Sequence, residues 1–208
     1  MKKLKLILVI ATIVLFSQNY SDAQSLKENY EAGKKAFYSD DFDKANKIFS
    51  EILNIESDDA DVSYYKGLVY FIYFDYDKSL TELNKSIEMD SKNAEAFLTI
   101  AQIYERKENY TDAITYYSKA IKLNKKSPDA YYNRATAYEM LKDTGKAIED
   151  YTKIIKLNRN DDIAYYNRGK LYAATGNKEK AIADYEKAMN IDKIWTNELS
   201  KKIEELKK

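Results

Sequence analysis

The sequence predicts an all-α fold, a right-handed superhelical solenoid built from helix–turn–helix repeats. Three observations carry that expectation. The 208 residues include one Pro and five Gly, too few punctuating residues for a fold of many strands and tight turns. The chain resembles itself at a step of 34 residues. Within each 34-residue stretch, apolar and small residues recur at spacings of three and four, the period of one helical face.

The amino terminus reads as a targeting segment. Lys2, Lys3 and Lys5 precede an apolar run from Leu6 to Phe16, and Ser21 and Ala23 suit a cut after Ala23. The run is shorter than the roughly 20 residues a bilayer span needs. Residues 1–23 are therefore expected to be a cleaved secretory signal, with a membrane role only if the segment stays attached. The expected destination is a bacterial periplasm, the cell surface or the medium.

Residues 24–208 are expected to form one repeat domain. AYYNRATAYEMLKDTGKAIEDYTKIIKLN from Ala130 aligns with AYYNRGKLYAATGNKEKAIADYEKAMNID from Ala164. Further steps back reach Ala96, Val62 and Glu28, which gives repeats 26–59, 60–93, 94–127, 128–161 and 162–195. A small residue holds one column of the first helix: Gly33, Gly67, Ala101, Ala135 and Gly169. A bulky residue holds one column of the second: Phe49, Leu83, Tyr117, Tyr151 and Tyr185. Asp41, Asp75, Asn109, Asp143 and Asn177 stand where second helices should begin. Asp59, Asn93, Ser127 and Asp161 precede the first helices in the same way. Such side chains accept hydrogen bonds from free backbone N–H groups at helix starts. Pro128 follows Ser127, at a position where a missing N–H costs nothing. Residues 196–208 carry Leu199, Ile203 and Leu206 on one stripe and are expected to be a capping helix, with Trp195 packed at the seam.

This pattern resembles the tetratricopeptide repeat, a 34-residue helix–turn–helix unit. The family's proline near the end of each unit is replaced by Ser57, Ser91, Lys125, Arg159 and Lys193. Its aromatic after the turn, kept as Phe42, Tyr76 and Tyr110, becomes Thr144 and Lys178. The later turns are expected to be looser for that reason. The resemblance implies a concave groove, lined by first helices, that takes a peptide or helix of another protein. Carried over by position, the groove residues are Tyr30, Lys34, Tyr64, Tyr65, Leu68, Phe71, Leu98, Gln102, Tyr132, Asn133, Tyr166, Asn167 and Lys170. Tyr30, Tyr64, Tyr132 and Tyr166 share a column, a tyrosine ladder suited to recognition.

Composition narrows the chemistry. There is no Cys and no His, which removes thiol nucleophiles, disulfides, Cys/His metal sites and imidazole acid–base chemistry. Basic and acidic residues both number 34, so no global charge holds nucleic acid. Paired acids such as Asp40–Asp41 fall at turns, where capping explains them. No catalytic residues, metal or cofactor are expected. The expected function is a non-catalytic protein–protein scaffold, with glycan binding through the tyrosines as the alternative and self-association as a further option.

Overall fold

The computed structural model describes residues 23–208. The expected signal segment lies outside the described residues, apart from Ala23. Those residues form eleven α-helices and one short 3-10 turn. The helices are α1 (Ala23–Tyr38), α2 (Phe42–Leu53), α3 (Ala60–Ile72), α4 (Tyr76–Met89), α5 (Ala94–Arg106) and α6 (Tyr110–Leu123). They continue as α7 (Pro128–Met140), α8 (Thr144–Leu157), α9 (Asp162–Ala174), α10 (Lys178–Ile191) and α11 (Thr196–Leu206). From α2 onward, every second helix begins 34 residues after the last: Phe42, Tyr76, Tyr110, Thr144, Lys178. No described helix is long and apolar enough to cross a membrane.

Each turn inside a helical pair is closed the same way. One residue between the helices adopts a left-handed backbone: Asp40, Phe74, Glu108 and Lys142 at φ 58–60°, and Gly176 at 75°. The N–H of the following residue then reaches back to the first helix, as from Asp75 to the Tyr70 carbonyl (2.9 Å) and from Asn177 to that of Tyr172 (2.8 Å). That pair of features satisfies a helix C-terminus that would otherwise leave bare carbonyls. The same following residue starts the next helix. Asp41, Asp75, Asn109 and Asp143 accept from the backbone N–H three residues on, whereas Asn177 makes no such side-chain bond. The later turns, despite Thr144 and Lys178, keep this geometry. The expected looseness is absent because backbone bonds and the left-handed residue set the turn, not the aromatic.

Phe74 is the costly member of this series. A side chain with a Cβ loses about 1–2 kcal/mol in the left-handed region, and Gly does not. Gly176 shows that the turn accepts glycine. Phe74→Gly is expected to stabilise the protein by about 1 kcal/mol, a rise in Tm of roughly 2–4 °C. Differential scanning calorimetry measures it; an unchanged or lower Tm would mean the turn is not strained.

The chain divides into two compact units, the first ending at Ile103 and the second beginning at Tyr104, within α5. In the first unit, α1, α2 and α3 share a core of Leu26, Tyr30, Phe49, Ile52, Tyr65, Leu68, Val69 and Ile72. The small column explains the close helix approach. A Cβ on Gly67 would lie 2.6 Å from Leu83 Cγ, and one on Gly33 would lie 2.6 Å from Phe49 Cε1. Ser86 of α4 is fully buried, and its Oγ has no hydrogen-bond partner among the described residues. Ala120 and Ala188 hold the equivalent positions one and three steps later. An unsatisfied buried hydroxyl costs about 1–3 kcal/mol. Ser86→Ala is thus expected to raise the denaturation midpoint, by about 1 kcal/mol of stability.

In the second unit, successive helices from α6 to α11 pack in order. α11 lays Leu199 and Ile203 onto Ala181, Tyr185 and Ala188 of α10, and Leu206 and Trp195 close the edge. The outward side of α11 carries Lys201, Glu204 and Glu205, all exposed.

Candidate functional site

The side chains expected to line a groove fall into two groups. In the first unit, Tyr30, Tyr65 and Leu68 are buried in the core, which corrects their assignment to an open surface. The reason is packing between neighbours. Tyr30 and Tyr65 meet at 5.7 Å between ring centres, and Phe49 lies 6.2 Å from Tyr30. The rings fill the seam between α1, α2 and α3. Tyr64 is half-buried against Tyr65, at 5.1 Å. Phe71, Leu98 and Gln102 are half-buried, and Phe71 leans on Tyr76 at 6.1 Å. Lys34 is half-buried, 3.4 Å from Glu31 and 5.7 Å above the Tyr30 ring.

In the second unit the tyrosine column is tied down at its polar tips. The Tyr132 hydroxyl donates to Asp161, the cap of α9. Tyr166 stacks on Trp195 at 4.5 Å, and its hydroxyl donates to Glu198 (3.2 Å). Trp195 Nε1 donates to Asp162 Oδ2 (2.6 Å). Burial, reinforced by the bonded carboxylate, raises the Tyr132 hydroxyl far above the usual tyrosine range. These rings join one helical pair to the next more than they stand free. Asn133 and Asn167 are half-buried, and Lys170 is exposed. Lys170 Nζ on α9 pairs with Glu139 Oε2 on α7 (2.9 Å), while Glu139 also accepts from the Tyr151 hydroxyl (2.7 Å). The side chains of α7 and α9 therefore share one polar face within this unit.

Sequence reasoning missed the role of arginine in the YYNR motif. Arg134 donates from Nε and Nη2 to the two carboxylate oxygens of Asp150 (2.8 and 2.7 Å). Its Nη1 donates to Ser118 Oγ on α6 (2.9 Å). Arg168 repeats this with Asp184 (2.8 Å twice) and Thr152 (2.9 Å). Each guanidinium also lies under 6 Å from two tyrosine rings of its own helix: Tyr131 and Tyr138, or Tyr165 and Tyr172. Burial pushes the Asp150 carboxyl up, and the guanidinium pulls it back without cancelling. Burial lowers Arg134, and its bond to Asp150 more than restores it. The available signal was a second coincidence: both arginines are followed, 16 residues on, by an aspartate. The arginine of the motif is architecture rather than a ligand contact.

No cluster of acidic residues suited to a metal ion exists among the described residues. The arrangement offers polar and aromatic surface. Residues 128–161 and 163–194 match the tetratricopeptide repeat, and residues 106–142 match a TPR repeat. Residues 106–194 thus carry tetratricopeptide repeats. No curated protein matches the chain. Among solved structures, the chain is similar to one titled "Crystal structure of MamA", at 25% identity and a TM-score of 0.68. That match covers 79% of this chain and 96% of the other. A second similar structure is "YrrB: a TPR protein with an unusual peptide-binding site", at 20% identity and a TM-score of 0.65. It covers 91% of this chain and 97% of the other. The helical-repeat solenoid fold is shared, and a tetratricopeptide fold of this kind supports protein–protein interaction in general. Such repeats are typically non-catalytic. Carbohydrate binding gains no support, and the free tyrosine platform it needs is largely consumed in the seams.

Proposed function

We propose that this protein is an exported, non-catalytic scaffold of five tetratricopeptide repeats that holds a peptide or helix of a partner protein against its first helices. One observation carries this reading. The Lys170–Glu139 pair draws α7 and α9 into a common face, on which Thr136 is exposed and Tyr132, Asn133 and Asn167 are half-buried. Such a face offers donors and acceptors at the spacing of consecutive repeats, which suits an extended segment with its own polar backbone. The peptide-binding site named for the YrrB structure is consistent with the same use of the fold. Exposed positions provide the test without disturbing the core. Thr136→Glu with Lys170→Glu, in the full chain, is expected to reduce capture of the partner about tenfold, as measured by quantitative mass spectrometry of bound protein. Undiminished capture by a variant with unchanged far-UV circular dichroism would remove the first-helix face from the function. Export rests on residues 1–23. Amino-terminal sequencing of the exported protein is expected to begin at Gln24.

A further inference from the structure

The most apolar exposed surface of the first unit is not on the first-helix faces. It lies at the turns between paired helices. Phe37 meets Tyr38, Phe42 and Tyr73 edge-on, at 5.7, 5.6 and 6.3 Å. One step later, Phe71 and Phe74 lean on Tyr76, at 6.1 and 6.3 Å. Tyr38 is 72% exposed, Phe74 63% and Phe42 49%. Scattered apolar residues on a surface are ordinary, but a cluster of large rings marks an interaction site.

Phe74 sharpens the case. It exposes a phenyl ring and holds a left-handed backbone, although the same turn accepts glycine at Gly176. Two unfavourable choices at one position point to selection for something other than stability. The surrounding charge says what kind of partner fits. The two turns read FYSDDFDK and FIYFDYDK, with five aspartates against two lysines. Lys78 is paired with Asp75 at 2.8 Å, and Asp40 and Asp43 have no ion-pair partner among the described residues. The corresponding turns of the second unit read ERKENYTD, EMLKDTGK and AATGNKEK. Their aromatic content falls to one residue and then none, and their excess of acid disappears.

We propose that this aromatic, acidic turn edge is a docking surface for a basic, apolar peptide segment, with Arg or Lys interleaved among Leu, Phe or Trp. Apolar side chains of the segment cover Tyr38, Phe42 and Phe74. Guanidinium groups stack on the ring faces and pair with Asp40 and Asp43. An anionic membrane surface is disfavoured, because aspartates interleaved with the rings repel its headgroups. The edge shares no residue with the α7 and α9 face, so its test stands independently of the function proposed above.

The experiment is fluorescence anisotropy with the full chain and two labelled probes, GRLWRLFRLG and the same peptide with Glu in place of each Arg. The basic probe is expected to bind at least about tenfold more tightly than the acidic one, and to weaken as salt rises from about 50 to 500 mM. Phe74→Gly, folded and more heat-stable than the parent, is expected to weaken binding about fivefold or more. Asp40→Asn with Asp43→Asn is expected to weaken it and flatten the salt dependence. Met140→Ser with Leu141→Ser, at an exposed turn of the second unit, is expected to leave it unchanged. Equal binding of the two probes overturns the proposal. So does full binding by Phe74→Gly or by the double Asn variant, equal loss in the Met140/Leu141 variant, or no binding of the basic probe. Sedimentation of the chain with phosphatidylserine vesicles, abolished by Phe74→Gly, would assign the edge to membranes and overturn it as well.

Discussion

Raising the pH through about 10 to 12 is expected to unfold this protein steeply, because its tyrosines are sealed in the neutral form. Burial pushes the Tyr185 hydroxyl up to about 12. It raises Tyr30, Tyr117 and Tyr151 further, and for the last two the bonded carboxylates of Glu105 and Glu139 add to the effect. All four are buried in the fold. A tyrosine in the unfolded chain ionises near pH 10. Below that pH both states hold the proton and the contribution to stability is complete. Above it the unfolded state releases the proton while the folded state keeps it, so stability falls until the folded value is passed. Each such group removes about 1.4 kcal/mol per pH unit, and four together remove about 5.5 per pH unit, a large share of a typical 5–15 kcal/mol. Solvent-exposed rings should ionise near about pH 10 with the helical signal intact, and the remaining tyrosinate absorbance at 295 nm should appear only together with the loss of far-UV circular dichroism. Ionisation of all twenty tyrosines by about pH 12 in a chain that keeps its helical signal would show that the four buried hydroxyls are open to water.

The second large effect concerns Arg134. Removing one partner of a buried ion pair leaves an uncompensated charge, at a cost of about 3–5 kcal/mol. Arg134→Ala is expected to lose that much, since Asp150 is buried and has no other ion-pair partner among the described residues. The Tm should fall by roughly 10 °C. Replacing both partners, as Arg134→Met with Asp150→Leu, should recover most of the loss, because neither buried charge then needs a partner. A cost under about 1 kcal/mol for Arg134→Ala would mean that the pair is solvated like a surface bridge.

Much of the fold was legible because a 34-residue period constrains many positions at once. The capping aspartates and Pro128 announce helix starts by chemistry that depends only on near neighbours in sequence. Their cap bonds at Asp41, Asp59, Asp75, Asp143 and Asp161 follow accordingly. The candidate surface was less legible. Placing Tyr30, Tyr65 and Leu68 on a helix face is a local inference, and what covers that face belongs to the next helical pair. Tyrosine worsens the ambiguity, since the same side chain fills a core and ends in a polar tip. The arginine clamp was hidden because its carboxylate lies 16 residues away and its hydroxyl 16 residues behind. Nothing in a bulky aromatic residue announces a left-handed backbone, so Phe74 gave no warning either.

The clamp also gives the array a syntax. Arg134 needs a hydroxyl from the preceding helix, and Ser118 provides it; residues 128–161 in turn offer Thr152 to Arg168. That 34-residue module thus carries both the plug and the socket, so identical copies of it could be spliced in tandem after Asp161 with every guanidinium satisfied. The module that follows presents a longer, charged acceptor, Glu186, where Ser118 and Thr152 would repeat. Lengthening this protein by duplication therefore reproduces the same hydroxyl joint after Asp161, and a carboxylate joint one module later.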